Sequence, residues 1–252
     1  MTGTPSSTSE AEARETISRT SSRSFVDLHC HSSASFDSLA SPRSVVRAAA
    51  SRGLTHLAIT DHDRIDGALA AREIALDEAP SLTVLVGQEI RTREGDLIGV
   101  FLDRAIPSGL GAAEAIAAVR EQGGLVGIPH PFDSHRGSLL AGGAMDDLAP
   151  LVDWVESHNA RILIGDGNQR AATFAADHGL PGVAVSDAHS VLEVGVAYIA
   201  VHGDPATPDG LRASLRTAEL VTGRATVFVR AVTPIAKLVQ RLRGNGRLAP
   251  NP

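Results

Sequence analysis

Histidines and carboxylates recur in short motifs along this chain, which contains ten histidines in 252 residues. His29 and His31 are two residues apart, so on a strand both imidazoles point to the same side. Asp187 and His189 repeat this spacing with one carboxylate and one imidazole. Imidazole nitrogens and carboxylate oxygens together suit zinc, manganese or iron. A single pair of this kind is a weak signal, so the other motifs decide whether the chain binds metal.

Three further motifs carry residues of the same types. Asp61, His62 and Asp63 place an imidazole between two carboxylates that can ligate a metal or orient the ring. Glu89 could bridge two ions through its two oxygens, and His130 stands between two prolines on a rigid loop. Each motif also has an ordinary interpretation, since DHD could form a turn and SDAH could cap a helix.

Short apolar runs alternate with amphipathic segments, and this alternation indicates the elements that position the motifs. It predicts βαβ units with a mainly parallel sheet. About seven such units fit a closed barrel better than an open sheet. The predicted strands are FVDLH (25–29), THLAIT (55–60), SLTVLVGQEI (81–90), DLIGVFL (96–102), LVGIPHP (125–131), VDWVESHNA (152–160), GVAVSDAH (182–189) and VGVAYIAV (194–201). The predicted helices lie over 42–52, 66–77, 112–122, 169–178 and 208–216.

The polar motifs HCH, DHD, QE, PHP, ESH and SDAH all fall at or just beyond the carboxyl ends of predicted strands. In a parallel barrel these ends lie on one face, where active sites are built. Capping does not readily explain six strand ends that carry ligand-type residues. The pattern therefore predicts a polynuclear metal site.

Composition limits the other possibilities. Cys30 is the only cysteine, which excludes an intramolecular disulfide and a thiolate zinc site. The net charge of −6 argues weakly against binding of long nucleic acids, because such binding needs a basic surface. No stretch approaches the roughly 20 apolar residues of a membrane span.

The two ends of the chain differ from its centre in composition. Residues 1–23 are rich in Ser and Thr and lack the apolar region of a secretory signal, which predicts a disordered leader and a cytoplasmic location. Residues 24–231 form the predicted barrel domain. Residues 232–252 are interpreted as a basic helix and tail, more typical of a packed or frayed terminal helix than of a membrane anchor.

In this order, DLHCHSSASFD, AITDHDRIDG, VGQEI, GIPHPFD and VSDAHS resemble the motifs of the PHP (polymerase and histidinol phosphatase) superfamily over residues 25–201. The segment GLPGVAVSDAHSVLEVGVAYIAV resembles small stand-alone PHP phosphoesterases. The resemblance implies a distorted (β/α)7 barrel that holds two or three divalent ions (zinc, manganese or iron). The positions that match family ligands are His29, His31, Asp37, His62, Glu89, His130, Asp187 and His189.

Two positions depart from the family pattern. Asp96 stands where many members have a histidine, and it could still ligate through oxygen. His158 stands in ESHNAR, where relatives more often have an apolar or aromatic residue. We expect His158 to have a catalytic role in the site, as a ligand or a substrate contact, and the alternative is a packed histidine.

On this basis we expect three groups of ligands and a metal-bound hydroxide as the nucleophile. Asp63 or an unligated histidine would carry protons. Arg136 and Arg161 could grip a phosphate, and the alternative is that both are solvated surface residues. The expected ligands are His29, His31, Glu89 and Asp187 for one ion, His62, Glu89 and His130 for a second, and Asp37 with His189 for a third, with Asp96 or His158 nearby.

The predicted function is hydrolysis of a phosphate ester of a small metabolite or nucleotide. The alternatives are a nuclease acting on short oligonucleotides and a non-catalytic, metal-stabilised PHP module. The nearly complete ligand set favours an active enzyme. Substrate specificity would depend on loops such as 132–147, and we expect neither a membrane nor a long nucleic acid as partner.

Overall fold

The computed structural model of the chain describes residues 23–133, 144–226 and 232–246. Within these ranges the strands are β1 (Arg23–Asp27), β2 (His56–Ile59), β3 (Thr83–Arg91), β4 (Asp96–Val100), β5 (Leu125–Ile128), β6 (Trp154–Asn159), β7 (Gly182–Val185), β8 (Tyr198–His202) and β9 (Glu219–Val221). The helices are α1 (Pro42–Ser51), α2 (Asp66–Glu78), α3 (Ala112–Arg120), α4 (Ala144–Leu148), α5 (Gly167–Asp177), α6 (Pro208–Leu215) and α7 (Val232–Leu242). A 3-10 turn over Ala149–Leu151 follows α4.

The strands form one sheet in the order β7-β6-β5-β4-β3-β2-β1-β8-β9. The segments beyond the carboxyl ends of β1 and β7 also touch, because Asp187 N donates to His29 O at 2.9 Å and His31 N donates to Ala188 O at 2.8 Å. The sheet is therefore a nearly closed barrel, which confirms the predicted α/β barrel. Its strand count is nine in the described residues rather than seven.

The sheet is also less parallel than predicted. β1, β2 and β3 are parallel neighbours, as are β5, β6 and β7. β4 is antiparallel to β3 and β5, and β8 is antiparallel to β1 and β9. The turn between β3 and β4 consists of only four residues, 92–95, and Thr92 N donates to Gly95 O at 2.9 Å. A connection this short can join only antiparallel strands, because a parallel crossover needs a dozen or more residues.

Alternation along the strands divides the core between the two faces of the sheet. Leu85 and Ile98 belong to a cluster on the face that also carries Trp154, whereas Val84 and Leu97 pack with the helices on the other face. The first face has little room where β5 meets β6. There Gly127 pairs with Trp154, and a Cβ at Gly127 would overlap the indole ring.

Capping residues and glycines mark where the helices on the outer face begin and end. Ser41 caps α1 by accepting a hydrogen bond from Ser44 N at 3.2 Å, and Pro42 occupies its first turn. Gly53 follows α1 with a positive φ of 76°, which glycine adopts without strain. Among the described residues, no helix is long and apolar enough to cross a membrane.

Candidate metal centre

The predicted ligand motifs lie where strands end, and the backbone turns sharply there. Asp63, His130 and Asp187 have positive φ values of 57°, 27° and 50°. Such conformations are strained for residues other than glycine and persist only where the surrounding contacts enforce them. The turns direct side chains from six separate parts of the chain into one buried cluster.

Glu89 lies at the centre of this cluster. Its Oε2 is 3.3 Å from His29 Nε2, 3.3 Å from His31 Nε2 and 3.3 Å from His62 Nδ1. Its Oε1 is 3.2 Å from His130 Nε2. Glu89 is buried, and both of its oxygens face imidazoles, so it could ligate more than one ion.

Two sets of side chains around Glu89 could each hold a metal ion. In the first, Asp187 Oδ1 is 3.6 Å from His29 Nε2 and 3.5 Å from His31 Nε2. In the second, Asp37 Oδ2 is 3.1 Å from His189 Nε2 and 3.3 Å from His62 Nε2. We call the first, which consists of His29, His31 and Asp187, the Asp187 set. We call the second, which consists of His31, Asp37, His62 and His189, the Asp37 set.

The donor atoms suit divalent cations. Glu156 Oε1 lies 2.6 Å from His29 Nδ1 and keeps a proton on that nitrogen, so that Nε2 is the atom that would bind a metal in the cluster. His29 Nε2 and His31 Nε2 are only 3.0 Å apart. Within the described residues the buried Nδ1 atoms of His31 and His130 have no hydrogen-bond partner. Converging imidazole nitrogens and carboxylate oxygens are the donors that zinc, manganese and iron accept.

The carboxylates control the charge of the histidines. Burial lowers the pKa of His29, but Asp187, Glu156 and Glu89 outweigh it and raise that pKa well above its usual value. Burial also lowers the pKa of His31, yet hydrogen bonds to Asp187 and Glu89 raise it to about 9. Without metal, these histidines therefore hold protons that a cation must displace.

The Asp37 set contains one histidine, His189, whose pKa is lowered rather than raised. Burial lowers the pKa of His189 to about 4, aided by Arg161 and His31 and opposed by Asp37. His189 Nδ1 lies 2.8 Å from Asp187 O, to which it donates as a neutral ring. Its Nε2 then presents a lone pair to the cluster at neutral pH.

Sequence reasoning missed two residues that orient the cluster. Glu156 Oε2 accepts hydrogen bonds from His130 N and from Asn159 Nδ2, both at 2.9 Å. Asn159 Nδ2 also donates to Asp187 Oδ2 at 3.0 Å. Both residues lie in ESHN, a motif that the sequence analysis interpreted through His158 alone. The available signal in the sequence was an acidic residue inside the predicted strand 152–160.

His158 belongs to neither ligand set found among the described residues, and its catalytic role stays a prediction. A bulge at Ser157 pairs Glu156 with Val183 and His158 with Ala184. Because successive residues of β7 face opposite sides of the sheet, Glu156 and His158 do too. His158 Nε2 instead lies 2.8 Å from Gly223 O, and Nδ1 lies 3.5 Å from Asn168 Nδ2. These contacts favour the alternative interpretation of a packed histidine.

Asp96 and Asp63 flank the cluster. Asp96 is buried and lies opposite Arg91 in the register of β3 and β4. Arg91 is two residues beyond Glu89 on β3, so Asp96 lies on the same face of the sheet as Glu89. It belongs to neither ligand set found among the described residues, and its metal role stays a prediction. Asp63 Oδ1 accepts a hydrogen bond from Arg91 N at 2.9 Å, and its role as proton carrier stays a prediction too.

The two arginines expected to grip phosphate have different outcomes. Arg161 is buried rather than solvated: its Nη1 lies 3.1 Å from Glu193 Oε1, and its Nη2 donates to Thr233 Oγ1 at 2.8 Å. Glu193 in turn accepts a hydrogen bond from His189 N at 3.0 Å. Arg161 thus borders the cluster through a paired carboxylate. Arg136 lies outside the described residues, as does most of the leader.

The chain matches known protein families over most of the residues that carry these motifs. Residues 27–141 match the PHP domain, and residues 165–220 match the family described as PHP-associated. The chain is 41% identical over 96 residues to the uncharacterized protein MJ1587 of Methanocaldococcus jannaschii, covering 38% of this chain and 55% of that one. It is 35% identical over 177 residues to MJ0417 of the same organism, covering 69% of each. The chain thus spans little more than half the length of MJ1587.

A relative with a named activity is the 5'-3' exoribonuclease of Haemophilus influenzae, 32% identical over 153 residues, which cover 56% of this chain and 51% of that protein. Among solved structures, a two-domain protein of Bacteroides vulgatus contains a predicted PHP-like metal-dependent phosphoesterase. It superposes with a TM-score of 0.68 at 19% identity, over 80% of this chain and 65% of that one. This likeness shows a shared fold.

Proposed function

Since the chain belongs to the PHP family, we propose that it is a metal-dependent phosphoesterase that hydrolyses a phosphate ester of a small metabolite or nucleotide. The observation that carries this proposal is the position of Glu89, whose two oxygens lie within 3.3 Å of four imidazole nitrogens. Hydrolysis of a phosphate ester needs charge neutralisation close to a nucleophile and a leaving oxygen. A cluster of this kind supplies it when it holds metal.

Two divalent ions would occupy the cluster, one held by His29, His31 and Asp187 and the other by Asp37, His62 and His189, with Glu89 between them. His130 would add a nitrogen to the shared side. When bound, divalent ions stabilise the charges on the phosphoryl, attacking and leaving oxygens. A third ion near Asp96 remains part of the proposal, and the metals we propose are zinc, manganese or iron.

The chain's own residues prepare this site for phosphate. Glu156 keeps the proton of His29 on Nδ1, and Asn159 orients Asp187 through its amide. His29, His31, Glu89 and Asp187 are buried, which strengthens the charge interactions among them. His189, neutral at pH 7, offers Nε2 as a ligand or as a proton acceptor. We propose Asp63 as a second proton carrier, and Arg161 and Arg136 as substrate contacts.

The experiment that tests this function is a substrate panel run on metal-loaded full-length protein. The panel compares p-nitrophenyl phosphate, nucleotides, bisphosphonucleotides and sugar phosphates. We expect turnover of at least one small ester and its loss in His62→Ala, whereas His178→Ala, which changes a partly exposed residue paired with Asp146, keeps wild-type activity. Wild-type turnover by His62→Ala, or no turnover of any phosphate ester, would contradict the proposal.

A second candidate function is a nuclease on short oligonucleotides, favoured by the identity to the H. influenzae exoribonuclease. The net charge of −6 disfavours long polymers, which need a basic surface. A 5'-phosphorylated RNA oligonucleotide in the same panel separates the two candidates. Preference for the oligonucleotide over every small ester would select the nuclease, and bound metal without any turnover would select the non-catalytic module.

A further inference from the structure

The C-terminal helix α7 packs against the loop that follows His31. Gln240 is 3% exposed, and its Nε2 lies 2.8 Å from Ser33 O, 3.1 Å from Ser35 O and 2.7 Å from Ser38 O. The two N–H groups of one side-chain amide are thus shared among three main-chain carbonyls of a segment about 200 residues away in sequence. We call this segment, residues 32–38, the Asp37 loop.

The carbonyls of Ser35 and Ser38 stand on either side of Asp37. Ser35 Oγ donates to Asp37 Oδ1 at 2.7 Å, which leaves Oδ2 facing His62 and His189. Ser38 Oγ donates to His189 O at 3.0 Å. The Asp37 loop is therefore attached to the metal cluster on one side and to Gln240 on the other.

The Asp37 loop contains no helix or strand that would hold it in place. Buried carbonyls without donors are costly, so a loop with three of them depends on whatever donates to them. Asn245 reinforces the same contact, because its Nδ2 donates to Ala34 O at 3.0 Å. Removal of the Gln240 amide would release the carbonyls next to Asp37 and, with them, the direction of its carboxylate.

We propose that Gln240 is a positioning residue for Asp37, so that helix α7 completes the part of the metal centre formed by the Asp37 set. The inference rests on the metal-binding role of Asp37 in the proposed function. It assigns to the C-terminal helix a role that the sequence did not indicate. Metal binding can test it without any substrate.

The first experiment titrates metal-free, full-length protein with Mn²⁺ by calorimetry. Gln240→Met, which keeps the volume of the side chain but removes the donor, should weaken one ion by about 10- to 100-fold, the usual effect of losing a residue that orients a ligand. The ion at the Asp187 set should keep its affinity and report an intact fold. Leu238→Ala, which truncates an exposed residue of the same helix, should behave like the wild type.

A double-mutant cycle decides whether Gln240 acts through Asp37. Asp37→Asn should weaken the same ion, and adding Gln240→Met to it should cause no further loss, because both changes remove one interaction. Additive losses, or equal weakening of both ions by Gln240→Met, would overturn the proposal. If Gln240→Met does not fold, Gln240→Glu replaces it in the cycle under the same criteria. Inactivity on every phosphate ester would overturn the proposed function and leave this result standing.

Discussion

At the residue scale, the charges of the cluster are arranged around Glu89 and Glu156. Histidines lower the pKa of Glu89 well below its usual value in spite of burial, which raises it. Glu156 lies on the far side of His29, at 2.6 Å from Nδ1. One glutamate therefore faces the space between the imidazoles, whereas the other orients a ring from behind. The two carboxylates should respond differently to mutation.

Glu156→Gln should weaken metal binding at the Asp187 set by about 10- to 100-fold, because His29 loses the charge that fixes its tautomer. Calorimetric titration with Mn²⁺ measures the change. Glu73→Gln, at an exposed position of α2, serves as the matched control. Unchanged affinity in Glu156→Gln would show that His29 is oriented by other contacts.

His158→Ala should leave metal binding and turnover within about twofold of the wild type, since the ring faces away from the cluster. It should lower the free energy of unfolding by about 1 kcal/mol, the usual worth of one hydrogen bond, here the one to Gly223 O. Urea unfolding and kinetics measure the two effects. A large loss of turnover would instead indicate that His158 has the catalytic role expected from the sequence.

At the element scale, strand β2 begins with a histidine whose protonation opposes folding. Burial lowers the pKa of His56, with Asp204 opposing the shift, so the folded protein holds the neutral ring more firmly than the unfolded chain does. The contribution of His56 to stability is therefore complete above its unfolded pKa of about 6.5 and is lost as the pH falls below it.

As the pH is lowered from about 7.5 to 5.5, the wild type should accordingly lose more unfolding free energy than His56→Gln does. Urea unfolding at several pH values measures the two losses. A pH-independent difference for His56→Gln would contradict the prediction.

Strands β5 and β6 depend on a glycine at their contact. Gly127→Ala should lower the free energy of unfolding by about 1–3 kcal/mol, because the new methyl group overlaps the indole of Trp154. Gly246→Ala, where a Cβ meets nothing within 4 Å, is the control and should change stability by less than about 0.5 kcal/mol. Equal stability of the two variants would mean that Trp154 moves freely.

At the scale of the whole molecule, the metal centre joins segments that are far apart in sequence. The Asp187 and Asp37 sets link the ends of β1 and β7, the Asp37 loop and the end of β2. Ions bound to such a cluster stabilise the folded chain relative to the unfolded one. Without them, the protonated rings of His29 and His31 face each other, with their Nε2 atoms 3.0 Å apart.

Removal of metal with a chelator should therefore lower the Tm by about 5 °C or more, given about 2.7 kcal/mol for an ion present at 100 times its Kd and about 2–4 °C for each kcal/mol. Scanning calorimetry of the metal-free and reloaded protein measures the shift. An unchanged Tm would argue against ions that join these segments.

Local patterns in the sequence predict the types of ligand and most of the elements that carry them. Apolar runs and helical periodicity are local patterns, so they indicated the strands and the positions of His29, Glu89 and Asp187 at strand ends. The reversal of β4 was also within reach, because four residues between β3 and β4 are too few for a crossover. These features depend on residues that are neighbours in the chain.

Which side chains meet depends on contacts between distant parts of the chain. The bulge at Ser157 turned His158 away and Glu156 inward, although the strand alternation around them looks regular in the sequence. The docking of Gln240 on the Asp37 loop joins residues about 200 positions apart. Such contacts arise from the closure of the barrel and the packing of a terminal helix, and no local pattern encodes the partner that a distant side chain will find.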